Sequence, residues 1–203
     1  MVVYDVSYCQ PAGTVSKLAS AGASGVIIRN GYMTKTDDLY NKHMTDAVKS
    51  FVGKMIGSYT YIMANDTDDA AIEAQNTIKR LTPFKSSINM PIYLDMESQK
   101  YCDPNAREKN TALLLLEIDY LRRAGFAYGV YTNQSFIQTY IKLDVIMSRF
   151  PKTSLWLADY RSKPYNPEYP VDIWQTGTKT VDTVKVDINK CYVDFYGRNK
   201  FFK

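Results

Sequence analysis

Apolar, strand-like runs alternate with helical periodicity along most of this chain, and that alternation constrains the fold more than any single motif. Val2 to Val6 reads as a short buried strand, Thr14 to Ala21 as a helix and Gly25 to Arg29 as the next strand. Asp37 to Phe51 carries Leu39, Met44, Ala47, Val48 and Phe51 at helical spacing, and Ile56 to Met63 returns to strand. Asp66 to Leu81 reads as a helix, opened by the acidic turn Asp66-Thr-Asp-Asp69 that suits a helix N-terminus. Met90 to Asp95 is a strand. A long helix follows from Pro104, carries Leu113 to Leu116, Ile118 and Leu121, and stops near Gly125. Ala127 to Thr132 as strand and Ser135 to Met147 as helix complete five such units. The style then changes. Ser154 to Asp159 and Val171 to Gln175 read as strands separated by the Pro- and Tyr-rich loop Arg161 to Pro170, and Val181 to Val186 and Tyr192 to Phe195 as small closing strands. Strand–helix units followed by loop-joined strands predict an α/β chain folded as an irregular parallel barrel. A single domain over residues 1–203 is expected, since no linker, repeat or low-complexity block interrupts the chain.

Composition removes several chemistries. With 203 residues, 45% of them hydrophobic, the chain supports one full-sized core. A net charge of +4 with scattered basic residues speaks against nucleic acid as a partner, while leaving room for a mild attraction to an anionic polymer. Cys9, Cys102 and Cys191 are too far apart, and too few, for a disulfide framework or a zinc site, so neither metal nor cofactor is expected. The single histidine, His43, falls in an amphipathic helix and is expected at its surface. Carboxylates and tyrosines are therefore left to carry any acid–base chemistry. The 17 tyrosines exceed what a core requires, and such rings stack on sugar faces while their hydroxyls bond ring substituents. The N-terminus has no basic region followed by an apolar stretch, and no run of about 18 apolar residues occurs. A protein made soluble in the cytoplasm, without a signal peptide or membrane insertion, is the expectation.

Within this pattern, Asp95 and Glu97 close the strand in Pro91-Ile-Tyr-Leu-Asp-Met-Glu-Ser98. Residues i and i+2 of a strand share a face, roughly 7 Å apart, so both carboxylates face one way and Met96 the other. Paired carboxylates suit glycoside hydrolysis, in which one acid holds a proton for the leaving oxygen and its neighbour is ionised. Barrels of this kind carry their sites at the C-terminal strand ends. Asp5, Tyr61 and Tyr131 fall at such ends as well.

An ordered set of segments resembles the family 25 glycoside hydrolases, the muramidase-type lysozymes. The segments are Tyr4-Asp-Val-Ser-Tyr-Cys-Gln10, Gly25-Val-Ile-Ile-Arg-Asn-Gly-Tyr32, Ile56-Gly-Ser-Tyr-Thr-Tyr61, Ile92-Tyr-Leu-Asp-Met-Glu97, Gly129-Val-Tyr-Thr-Asn133, Leu155-Trp-Leu-Ala-Asp-Tyr160, Ile173-Trp-Gln175 and Val186-Asp-Ile-Asn189. The resemblance implies a modified TIM-like (β/α) barrel of about five βα units followed by three strands. It also implies cleavage of β-1,4 bonds between N-acetylmuramic acid and N-acetylglucosamine in bacterial peptidoglycan, with cell-wall lysis after release. Matched by position, Glu97 is the proton donor, Asp95 the assisting carboxylate, and Asp5 and Asp187 the further acids of the cleft. Tyr61, Tyr131 and Tyr32, with Trp174 and Gln175 from the final barrel strand, are the candidate substrate-binding residues. Two positions depart from the family: Tyr59-Thr-Tyr61 stands where many members have a Tyr-His-Phe type sequence, and Asn30 is unusual in the second strand.

Four acids in one cleft cannot all ionise together, and Glu97 is expected to hold the proton. Asp95, ionised, is expected to orient the substrate's 2-acetamido group for attack on the anomeric carbon, giving retention without an enzyme-bound ester. An inverting, water-attack route is the alternative. The rival readings are a chitinase-like or endo-N-acetylglucosaminidase enzyme, for which Tyr93 stands where a further acid is usual, and a non-catalytic glycan-binding barrel.

Overall fold

The computed structural model describes residues 1–161 and 169–197. In chain order the strands are β1 (Val2–Val6), β2 (Gly25–Tyr32), β3 (Lys35–Thr36), β4 (Met55–Tyr61), β5 (Ile92–Asp95), β6 (Tyr128–Asn133), β7 (Ser154–Ala158), β8 (Ile173–Val181) and β9 (Val184–Cys191). All but β3 form a closed ring. β1, β2, β4, β5, β6, β7 and β8 run parallel to their neighbours, and β9 lies antiparallel between β8 and β1. β3 folds back on β2 as a short hairpin beyond the ring. Helices α1 (Thr14–Ser20), α2 (Tyr40–Ser50), α3 (Thr67–Leu81), α4 (Arg107–Arg123) and α5 (Leu143–Arg149) follow the first five ring strands, which gives the expected five βα units and three final strands.

Period-two alternation divides the ring residues between two cores. Val3, Ile27, Met55, Tyr93, Trp156, Ile173 and Cys191 fill the barrel interior. Tyr4, Val26, Ile28, Ile56, Ile92, Leu94 and Val130 point outward against the helices. Local signals start and stop the helices as expected. The Asp66 carboxylate caps α3 by accepting from the amides of Asp68 and Asp69, and Gly125, at φ 74°, ends the turn after α4.

Three expectations change. The closing strands are one hairpin: β8 and β9 are joined at Asp182 and Thr183, both at positive φ, a two-residue turn made without glycine. Tyr192 to Phe195 is not a strand; Phe195 turns back into the interior core instead. The helix expected over Ser135 to Met147 is broken into a π-turn, Phe136–Tyr140, and α5. Side chains of α4 stabilise that break, with Asn110 Nδ2 donating to the Tyr140 carbonyl and Thr111 Oγ1 accepting from the Lys142 amide. Most of the loop Arg161 to Pro170 lies outside the described residues.

His43 is fully buried, not at the helix surface. Its Nε2 lies 3.2 Å from the carbonyls of both Ser7 and Gln10, so the Nε2–H tautomer ties α2 to the loop after β1. None of the described helices is long and apolar enough to cross a membrane.

Candidate active site

The interior face of the barrel changes character toward the C-terminal strand ends. Trp156 closes the apolar part as a plug, its ring packed by Tyr131 at 4.4 Å, Tyr93 at 5.3 Å and Tyr59 at 5.8 Å between centroids. Directly above it, Asp5, Asp95, Glu97 and Asp187 line one cleft, with Tyr131 and Gln175. Alternation explains the convergence. Asp5 follows Val3 on β1, Asp95 follows Tyr93 on β5, and Gln175 follows Ile173 on β8, each two residues above an interior core residue. Glu97 continues the same face past the end of β5, while Met96 is buried in the outer core.

A continuous hydrogen-bond network fixes these groups. Trp156 Nε1 donates to Asn189 Oδ1 at 2.8 Å, and Asn189 Nδ2 donates to Asp5 Oδ2 at 2.8 Å. The same Asp5 oxygen accepts from Gln175 Nε2 at 3.2 Å. Gln175 Oε1 in turn accepts from the hydroxyls of Tyr131 at 2.9 Å and Tyr160 at 3.0 Å. Each amide is thereby held in one orientation, because its oxygen faces donors and its nitrogen faces acceptors. Asp95 is different: its Oδ1 is buried with no hydrogen-bond partner among the described residues.

Burial pushes all four carboxyls upward, and repulsion from neighbouring acids adds to it at Asp5, Asp95 and Glu97. Asp5 rises to about 7, chiefly through burial, then through Asp187, against the opposing bonds from Asn189 and Gln175. Asp95 is held well above the usual carboxylate range by burial, with Glu97 and Asp5 adding and Arg29 opposing. Glu97 sits at the solvent-open mouth, yet the surrounding protein desolvates it enough to raise its carboxyl, an effect moderated by a hydrogen bond with Tyr131. Asp187 is raised by burial, with Lys185 opposing. Asp5 and Asp95 are enclosed, whereas Glu97 is exposed at the mouth of the same cleft.

Not every candidate lines this cleft. Tyr61 and Tyr32 border an adjoining groove with Arg29 and Lys35, where β2, β4 and the β3 hairpin meet. Trp174, expected to bind substrate, is buried on the outward face of β8, because its neighbour Gln175 faces in. Its Nε1 donates to the Asp159 carbonyl and Lys190 packs over its ring. Tyr59, Tyr160 and Asn189 were not among the candidates. Tyr59 was legible in Tyr59-Thr-Tyr61, whose ends share a face.

Behind the groove lies a second polar cluster. Glu73 of α3 is fully buried and accepts from the amides of Met33, Met63 and Ala64, the residues that follow Tyr32 and flank the end of β4. Arg80 donates to Asn30 Oδ1 and to the carbonyls of Met33 and Lys35, which ties the β2–β3 hairpin to the same helix. Asn30, the unusual second-strand residue, sits at a bulge and bonds Ser58, Thr60 and the Tyr59 carbonyl.

A closed (β/α) barrel with four carboxyl groups converging above its aromatic plug supplies the paired acids that glycoside hydrolysis requires. The model of the glycosyl hydrolases family 25 matches residues 4–182, and the chain belongs to that family. Solved structures agree in fold. A family 25 glycosyl hydrolase from Bacillus anthracis superposes with a TM-score of 0.81 at 20% identity, covering 100% of this chain and 94% of that one. The catalytic domain of endolysin ply40, from bacteriophage P40 of Listeria monocytogenes, gives 0.73 at 25% identity, covering 98% and 96%. The modular autolysin LytC of Streptococcus pneumoniae gives 0.74 at 22% identity, and this chain, 93% covered, spans 46% of its length. Comparison with curated protein sequences returns no significant match.

Proposed function

We propose that this protein is a muramidase that hydrolyses the β-1,4 bond between N-acetylmuramic acid and N-acetylglucosamine in bacterial peptidoglycan, and so lyses the wall. The observation that carries this reading is the cleft shared by Asp5, Asp95, Glu97 and Asp187, in which Asp95 Oδ1 is buried without a partner among the described residues. Family membership and the similarity in fold to the catalytic domain of a phage endolysin support the same substrate class.

In the proposed reaction the 2-acetamido N–H of the sugar at the cleavage point donates to Asp95. That bond favours the ionised carboxylate, and the proton held by the cluster passes to Glu97. Glu97 delivers it to the glycosidic oxygen as the bond to the anomeric carbon breaks. The acetamido carbonyl oxygen bonds to that carbon from the opposite face, and Asp95 stabilises the resulting charged ring. Water then opens the ring and returns its proton to Glu97, with retention at the anomeric carbon. Asp5 and Asp187 keep the cluster from losing its proton at neutral pH. Mass spectrometry of fragments released from purified walls tests the reading: reducing muramic acid ends are expected, and reducing glucosamine ends overturn it.

A further inference from the structure

The groove beside the acid cleft differs from it in chemistry. It neighbours the cleft at Tyr61, which lines the groove and pairs in register with Asp95 of the cleft. Its walls hold two cations and two carboxylates, Arg29, Lys35, Asp37 and Asp38. Arg29 and Asp37 neutralise one another: Arg29 Nε donates to Asp37 Oδ2 at 2.7 Å, and the Asp37 side chain is wholly buried. Lys35 and Asp38 are exposed, and neither forms an ion pair among the described residues. The exposed groove therefore presents one positive and one negative group.

Two of its three aromatic rings, Tyr8 and Tyr32, already carry a cation. The Arg29 guanidinium lies 4.5 Å over the Tyr8 ring, and Lys35 Nζ lies 5.9 Å over that of Tyr32. The lip is also rigid, because Glu73 and Arg80 hold the Met33 and Lys35 backbone from behind. A groove with fixed walls, two of three ring faces occupied by cations and an opposite-sign charge pair matches a zwitterionic chain better than a neutral saccharide.

We propose that this groove receives the stem peptide of the muramyl unit, with Lys35 facing a peptide carboxylate and Asp38 the ammonium of its diamino acid. The proposal rests on the peptidoglycan reading above and names the part of the substrate that reading leaves unplaced. Uncross-linked glycan strands with and without stem peptides provide the test. Lys35→Glu is expected to lower the ratio of kcat/KM on stem-bearing over stripped strands about three- to fivefold, the scale of an exposed ion pair, and the loss should fade at high salt. Equal loss on both substrates, or an unchanged ratio, overturns the proposal. A thermal melt matching wild type establishes that Lys35→Glu is folded, and Asp38→Lys gives an independent second reading of the same ratio. A wild-type protein that cleaves neither substrate defeats the hydrolase reading itself, a result separate from an unchanged ratio.

Discussion

Asp5 on β1 and Asp187 on β9 stand directly opposite each other across an antiparallel pair. Like-charged residues in that relation repel, which destabilises a sheet unless one of them is neutral. The barrel tolerates the pair because Asp5 has two amide donors and holds its proton to about 7.

Replacing Asp5 by Asn should stabilise the fold while lowering activity. The raised Asp5 contributes stability that is fully present below its ordinary value of 3.8 and is lost as pH rises through about 7. Wild type and Asp5→Asn should therefore unfold alike near pH 3.5, and the variant should be more stable by about 1–3 kcal/mol near pH 8.5. Urea denaturation across that range checks the sign. A variant less stable at high pH would contradict the coupling.

Glu97→Gln keeps the size and hydrogen bonding of the side chain and removes its transferable proton. Hydrolysis of purified walls should fall at least about 100-fold, as expected when a general acid is lost. Muropeptide binding, measured by calorimetry, should change little. Residual turnover above a few percent would take Glu97 out of the donor role.

Glu73→Gln turns one acceptor oxygen into an amide nitrogen facing backbone N–H groups. A loss of about 2 kcal/mol in stability is expected. Amide exchange should quicken at Met33, Met63 and Ala64, and KM should rise more than kcat falls, because both lips of the groove loosen.

A methyl group at Gly129 would lie 2.5 Å from the Tyr93 ring and 2.7 Å from the Ser154 carbonyl. Neither can retreat, since Tyr93 bonds Ser154 and supports Trp156. Gly129→Ala should cost about 3 kcal/mol by overpacking, read as a lowered urea midpoint at unchanged m-value.

Much of this architecture was legible because it rests on two short-range periods. Strand alternation placed Asp95 and Glu97 together and set Met96 apart, and helix spacing located α2, α3 and α4. The same alternation, applied to Ile173-Trp-Gln175, would have turned Trp174 outward once Gln175 faced in. Other features had no local signal. The β8–β9 hairpin lacks glycine at its turn, so residues 182 and 183 read as the interior of a strand, Val181 to Val186, where the chain in fact reverses. The burial of His43 depends on carbonyls 33 and 36 residues earlier in the chain. The upward shift of the four acids depends on enclosure, which follows from where the ring closes and not from spacing.

The closing strand has a temporal consequence. β9 carries Asp187 and Asn189, and the Met1 ammonium donates to the Cys191 carbonyl at 2.9 Å, so the earliest and latest parts of the ring meet at one seam. During synthesis Asp5 precedes its aspartate partner and its asparagine clamp by more than 180 residues, and both of these arrive together on β9. Without β9 the ring stays open and Asp5 has neither Asp187 opposite it nor the Asn189 amide, so closing the barrel and completing the cleft are one event.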